Sequence, residues 1–154
     1  MSIKMLRQSL DRSPADYLFL SEVLITLAAA SLAIRILPFR VIVRIAGRPL
    51  SRGKLPSDKQ LPICMRVRQA VIAWTKRLPW HPMCFPQGLA THWLLRRRGV
   101  PSVLYYGAKP LDNGGLTAHV WVCVDEIAVV GGEAAKGMGV LAKFPSDGKN
   151  DANS

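Results

Sequence analysis

The chain has 154 residues, enough for one domain with a modest core. Lys and Arg outnumber Asp and Glu by 21 to 10, a formal charge of +11, which suits nucleic acid, anionic lipid or an acidic peptide without choosing among them. The odd set Cys64, Cys84 and Cys123 has no framework spacing and, with no apolar stretch leading to a cleavage site, argues against a disulfide-stapled secreted domain and for a reducing compartment.

In chain order, Ser13-Pro14-Ala15-Asp16 reads as a helix start: a Ser cap, Pro in the first turn and an acid at the third position. The run Tyr17 to Leu37 is apolar except for Ser21, Glu22, Thr26 and Arg35, and Pro38 ends it. Between Glu22 and Arg35 lie twelve uncharged residues, short of the roughly 20 that a membrane-spanning helix needs. A buried core helix, or one lying on a membrane surface, is expected instead. Phe39 to Ala46 predicts a short basic amphipathic helix ending at Gly47, and residues 48–60 read as a linker loop. From Pro62 to Leu78 the pattern is helical again, with Ile63, Val67, Ala70, Val71 and Trp74 on one face, and Pro79 stops it.

The next stretch, Trp80-His-Pro-Met-Cys84-Phe-Pro-Gln-Gly88, opens a helix that runs to Gly99. Cys84 therefore sits at or next to a helix N-terminus, where free backbone N–H groups and the helix dipole favour a thiolate, the form that attacks carbonyls. A small buried hydrophobe is the competing reading of any free cysteine.

After Gly99 the pattern becomes β-rich. Val103 to Tyr106 predicts a strand, Pro110 to Gly115 a loop, and Thr117 to Val124 a second strand. Alternation puts His119, Trp121 and Cys123 on one face and Val120, Val122 and Val124 on the other. Asp125-Glu126 form a tight turn, and Ile127 to Val130 return as a third strand. Helices followed by an antiparallel sheet make an α+β domain. Residues 1–60 are expected to pack as N-terminal helices and loop on a core of 61–144, with a disordered polar tail over 145–154.

A cysteine nucleophile needs a base that takes its proton and returns it to a leaving amine. His92 is excluded: eight residues along the helix from Cys84 is roughly 12 Å. His81 sits between Trp80 and Pro82 in a turn. His119, on a strand that follows the Cys84 helix, is the best placed, since a strand against the N-terminus of a Cys-bearing helix is the papain-like arrangement. Asp125 lies six residues from His119 on the same strand, roughly 20 Å away, and reads as a turn residue. A two-residue turn sets Val124 opposite Ile127, hence 119 opposite 132, and brings Glu133 level with His119. Glu133 is then the acid within reach, against the reading of a solvent-exposed glutamate.

His81-x2-Cys84 and His119-x3-Cys123 have zinc-like spacing, but the latter pair is roughly 13 Å apart along a strand, so no metal is expected. There is no phosphate-binding glycine loop or nucleotide fingerprint, and no cofactor is expected. Arg96-Arg97-Arg98 closes a helix, where cations suit the dipole, so a solvated helix end accounts for it. No nucleic-acid-binding motif accompanies the charge.

With Cys84, its helix and Ala118-His119-Val120-Trp121-Val122 in place, the sequence resembles the lasso-peptide leader peptidases, small bacterial proteins of the transglutaminase-like cysteine-protease superfamily. The likeness also rests on Leu37-Pro38-Phe39-Arg40, Leu78-Pro79-Trp80, Leu94 to Pro101, Tyr106-Gly107 and Val129-Val130-Gly131. The resemblance implies a papain/transglutaminase-like fold with a Cys-His-acid triad that cuts the leader from a ribosomally made precursor. A separate ATP-dependent cyclase then closes the lasso ring. It also implies a partner protein that recognises the leader, expected here as a separate chain because residues 1–60 read as part of the protease. Gln87 stands where that family commonly has a basic residue, and Glu133 where it commonly has Asp.

The expectation is thus a cysteine endopeptidase with Cys84, His119 and Glu133 as its triad, and the Cys84 N–H as an oxyanion donor. It acts in the cytoplasm, either free or peripheral at the inner membrane. Its rivals are a transglutaminase-type acyl transferase and a non-catalytic, membrane-associated basic scaffold.

Overall fold

The computed structural model describes residues 13–47, 57–112 and 114–145. The expected loop over 48–56 and tail over 146–154 lie outside these residues. Among the described residues four helices, α1 (Pro14–Ile36), α2 (Phe39–Ala46), α3 (Ser57–Thr75) and α4 (Cys84–Arg97), precede four strands, β1 (Val103–Pro110), β2 (Leu116–Val124), β3 (Ile127–Val130) and β4 (Gly139–Phe144). The strands form one antiparallel sheet in the order β3-β2-β1-β4. This is the α+β architecture expected.

Helix α1 starts as its sequence dictates. Pro14 occupies the first turn, and the Ser13 N–H and hydroxyl both donate to Asp16 Oδ2, at 3.2 and 3.1 Å. The helix is long and apolar enough to cross a membrane by length and composition. In the fold, however, Val23, Leu27 and Ala30 are fully buried and join Leu89, Leu94 and Leu95 of α4 in one core. Each such aliphatic side chain contributes about 1.5–3 kcal/mol on full burial, Ala less. Polar ties fix the packing. Asp16 pairs with Arg66 of α3 at 2.6 Å, Trp74 Nε1 donates to the Leu20 carbonyl at 3.0 Å, and Glu22 pairs with both Arg97 and Arg98. The arginine run therefore does more than end a helix in solvent: two of its members anchor α4 to α1.

Helix α3 departs from expectation at both ends. It begins at Ser57, so 57–60 are helical rather than loop, and it stops at Thr75. Pro62 sits inside it, close enough to the start that few backbone bonds are lost. Its Arg68 donates to the Val129 carbonyl at 2.8 Å, covering part of the β3 edge.

Strand β2 alternates as predicted: Val120, Val122 and Val124 are buried in the core against the helices, while Trp121 stacks on Tyr105 of β1 on the other face. The hairpin begins in the expected register, Val124 opposite Ile127, but a bulge at Val129 shifts it so that Val122 faces Val130. β3 ends there, and the chain turns at Gly131 (φ +78°). The expected pairing of 119 with 132 does not form. The sheet also has a strand the sequence did not announce: in β4, Val140 and Leu141 are both exposed, so no alternation marks it.

Candidate active site

Cys84 is the first residue of α4, with Met83 as its N-cap. The first backbone hydrogen bond of the helix runs from the Gln87 N–H to the Met83 carbonyl at 3.2 Å. Pro86 has no N–H to offer, which leaves those of Cys84 and Phe85 pointing out of the first turn. The turn is braced from behind by Gln87, whose Nε2 donates to the Pro82 carbonyl at 2.6 Å. One turn on, Gly88 presses against the sheet, where an added Cβ would lie 2.6 Å from Val120 Cγ1 and 3.2 Å from Leu104 Cδ1. Only a glycine lets α4 lie this close to β2, and that contact holds the second turn of the Cys84 helix against the strand that carries His119.

His119 is half-buried and lies beyond the last β2–β3 pair, where the edge of β2 is uncovered. Its Nε2 is 2.9 Å from the Gly131 carbonyl oxygen. A carbonyl only accepts, so Nε2 carries the proton and Nδ1 of the neutral ring holds a lone pair. The ring is also held flat by Trp121, which stacks on it at 14° with centroids 6.5 Å apart, and Trp121 stacks in turn on Tyr105 at 7° and 5.5 Å. Opposite His119 on β1 stands Gly107, where a Cβ would fall 2.7 Å from the Trp121 ring.

His119, Gln87, Arg68, Glu133 and Lys136 line a cleft of about 440 Å³. Cys84 is three residues before Gln87 on the same helix face, roughly 5 Å along the axis from that wall. The structure thus places His119 and Glu133 in one cleft and Cys84 one helical turn from it. No hydrogen bond joins the thiol to the imidazole. Glu133 is exposed, and the ring donates to Gly131 rather than to its carboxylate. Asp125 lies in the turn (φ +51°) at the far end of β2. His81 is exposed in the turn before Pro82. His92 is fully buried, its Nε2–H donating to the Ala46 carbonyl and its Nδ1 accepting from the Ser102 hydroxyl, both at 2.9 Å. Burial pushes its pKa down to about 4. Burial also pushes the Cys64 and Cys123 thiols up.

The parts that sequence reasoning missed are Gly131, Gly107 and Trp121. Gly107 and Trp121 had a signal: His-x-Trp alternation puts both rings on one face, and a facing glycine makes room for the larger. Gly131 had none, because the bulge that positions its carbonyl leaves no mark in the residue pattern.

No curated protein and no solved structure matches the chain. A family model does, that of the transglutaminase-like superfamily, over residues 24–142, from inside α1 to inside β4. This stretch is 119 of the 154 residues and contains the α4 start, His119 and Glu133. Cysteine proteases and acyltransferases are typical of that superfamily. The chain belongs to the transglutaminase-like superfamily.

Proposed function

We propose that the protein is a cysteine endopeptidase that removes the leader from a ribosomally synthesised lasso-peptide precursor. The observation that carries this reading is a thiol at the first position of a packed helix, one turn from a cleft whose imidazole is held as the Nε2–H tautomer. Cys84 Sγ attacks the carbonyl carbon at the leader–core junction as its proton passes to His119 Nδ1. The oxyanion forms at the free N–H of Cys84, at the positive end of the helix dipole. When the C–N bond breaks, the imidazolium gives its proton to the departing core amine, and the leader remains as a thioester on Cys84. Water, deprotonated by His119, then releases the leader acid and restores the thiol. Glu133, at the rim of the cleft, is the acid we assign to offset the charge of the imidazolium. A separate leader-recognition protein delivers the precursor, and an ATP-dependent cyclase takes the product.

The test mixes the protein, a leader-recognition partner and a precursor peptide, read by mass spectrometry beside Cys84→Ala. One cut that vanishes in the variant is the expected result. If the variant still cuts, Cys84 is not the nucleophile. Acyl transfer to an amine, the other reaction of the superfamily, leaves an amide in place of the leader acid, and the product mass separates the two.

A second observation favours work at a membrane surface. Leu18, Ile25, Leu32 and Ile36 of α1 are 73, 67, 58 and 67% exposed and, spaced by seven and four residues, form one stripe. Exposed Arg35, Arg40 and Arg44 lie at its C-terminal end. An apolar stripe beside cations suits peripheral association with anionic lipid.

A further inference from the structure

A second pocket lies beside the first turn of α4, with Phe85 in its wall. It is apolar, about 360 Å³, and lined by Ile34, Leu37, Phe39, Ile42, Phe85 and Tyr106. Phe85 follows Cys84 directly, so one wall is one peptide unit from the thiol, about 3.8 Å between Cα atoms. Phe39, Phe85 and Tyr106 form a triangle with centroids 6.1 to 6.3 Å apart, and Ile42, 4% exposed, lines the same pocket. Among the described residues the pocket shares no lining residue with the His119 cleft. In the sheet, Tyr106 is on β1, whereas the cleft gathers at β2 and β3. Phe85 lines the pocket and Gln87 the cleft, and two residues apart they lie roughly 200° from each other around the first turn of α4.

We infer that this pocket takes an apolar side chain, aromatic or branched, from the acyl side of the peptide that Cys84 attacks. The inference rests on the cysteine-peptidase reading. The base must protonate the departing amine, so that half of the substrate lies toward His119 and its cleft. The acyl half stays bonded to Cys84 and runs the other way, past Phe85 into the pocket. The size fits a side chain rather than a folded partner, for it is at the low end of small-ligand pockets, commonly about 300–1,000 Å³. Among the described residues nothing charged lines the pocket, so an acidic or basic side chain there would lose its hydration without a partner.

The test uses N-acetyl tripeptide aldehydes that vary one residue at a time among Ala, Asp, Leu and Phe. Cys84 Sγ adds to the aldehyde carbon and the thiol proton goes to the oxygen, giving a reversible adduct that protects Cys84 from iodoacetamide. Protection is read by mass spectrometry. At one position Leu or Phe should protect at roughly tenfold lower concentration than Ala, and Asp should protect least. Phe39→Ala, which opens the half-exposed wall, and Leu37→Trp, which fills the mouth, should each bring the Phe-to-Ala ratio toward one. Thermal unfolding confirms that each variant is folded, and either variant alone suffices. Equal protection at every position, or a preference that both variants leave intact, overturns the pocket while the peptidase reading stands. No protection by any aldehyde overturns both.

Discussion

At the scale of single residues, the role of base that we assign to His119 turns on a backbone atom. The Gly131 carbonyl accepts from Nε2 and so leaves Nδ1 unprotonated, the task an acid usually performs in such sites. Gly131 can do this only as glycine: φ is +78°, and a Cβ would sit 2.6 Å from the Val120 carbonyl oxygen and 3.0 Å from His119 Nε2. A side chain in that backbone region costs about 1–2 kcal/mol before any clash. Gly131→Ala should therefore lower kcat/KM at least roughly tenfold, and 15N NMR of the imidazole should show the fixed Nε2–H tautomer give way to a mixture. A tenfold loss with the tautomer unchanged would mean that the glycine acts through packing alone. Glu133→Ala, at an exposed position without a bond to the ring, should cost about threefold to tenfold in kcat with the fold retained. Wild-type rates there would remove Glu133 from the machinery. That Cys84 opens a helix and that His119 sits on a strand was legible because a helix start and a strand alternation are written in residue types. The acceptor for His119 was not, because the bulge at Val129, whose carbonyl accepts from Arg68 of α3, has no residue signature.

At the scale of elements, His92 joins three segments. It donates to the last residue of α2, lies on α4, and accepts from Ser102 just before β1. Charging it would place a cation in a fully buried site and turn the Ser102 bond around, with Nδ1–H donating to the hydroxyl oxygen. The group is neutral at pH 7, with a folded-state pKa of about 4 against an ordinary 6.5. The unfolded chain binds the proton first, so stability is fully present above pH about 6.5 and is lost as pH falls toward about 4. The loss is of order 2–3 kcal/mol. Urea unfolding at pH 7 and pH 4.5 should show that drop in the wild type. In His92→Leu, less stable at pH 7 because Ala46 and Ser102 lose their partner, the drop should shrink by most of that amount. An equal drop in both proteins would place the acid sensitivity elsewhere. The element pattern was readable where one face is apolar and the other polar, as in α3 and β2. It failed for β4, an edge strand with consecutive exposed Val140 and Leu141, and for residues 57–60, where tertiary packing of Gln60, 4% exposed, overrides a polar sequence.

At the scale of the whole molecule, charge and exposed apolar surface meet along α1. The sequence shows an apolar helix but not which side of it is inside, since both faces are apolar. The fold decides: Val23, Leu27 and Ala30 enter the core and the stripe from Leu18 to Ile36 stays out. A contiguous apolar surface of this kind on a chain carrying +11 has an electrostatic and a hydrophobic reason to meet anionic lipid. Each basic side chain near such a surface contributes about 1 kcal/mol at low salt, and screening removes most of it over roughly 3 Å at 1 M. The protein should sediment with vesicles containing phosphatidylglycerol at low ionic strength, and much less in 1 M salt or with phosphatidylcholine alone. Leu32→Asp places a charge in the middle of the stripe at a side chain the core does not use, so folding should persist while vesicle binding falls several-fold. Binding that depends on salt but not on Leu32→Asp would assign the attraction to charge alone and leave the stripe for a protein partner. With no binding to anionic vesicles at low salt, the stripe would have no role at a membrane.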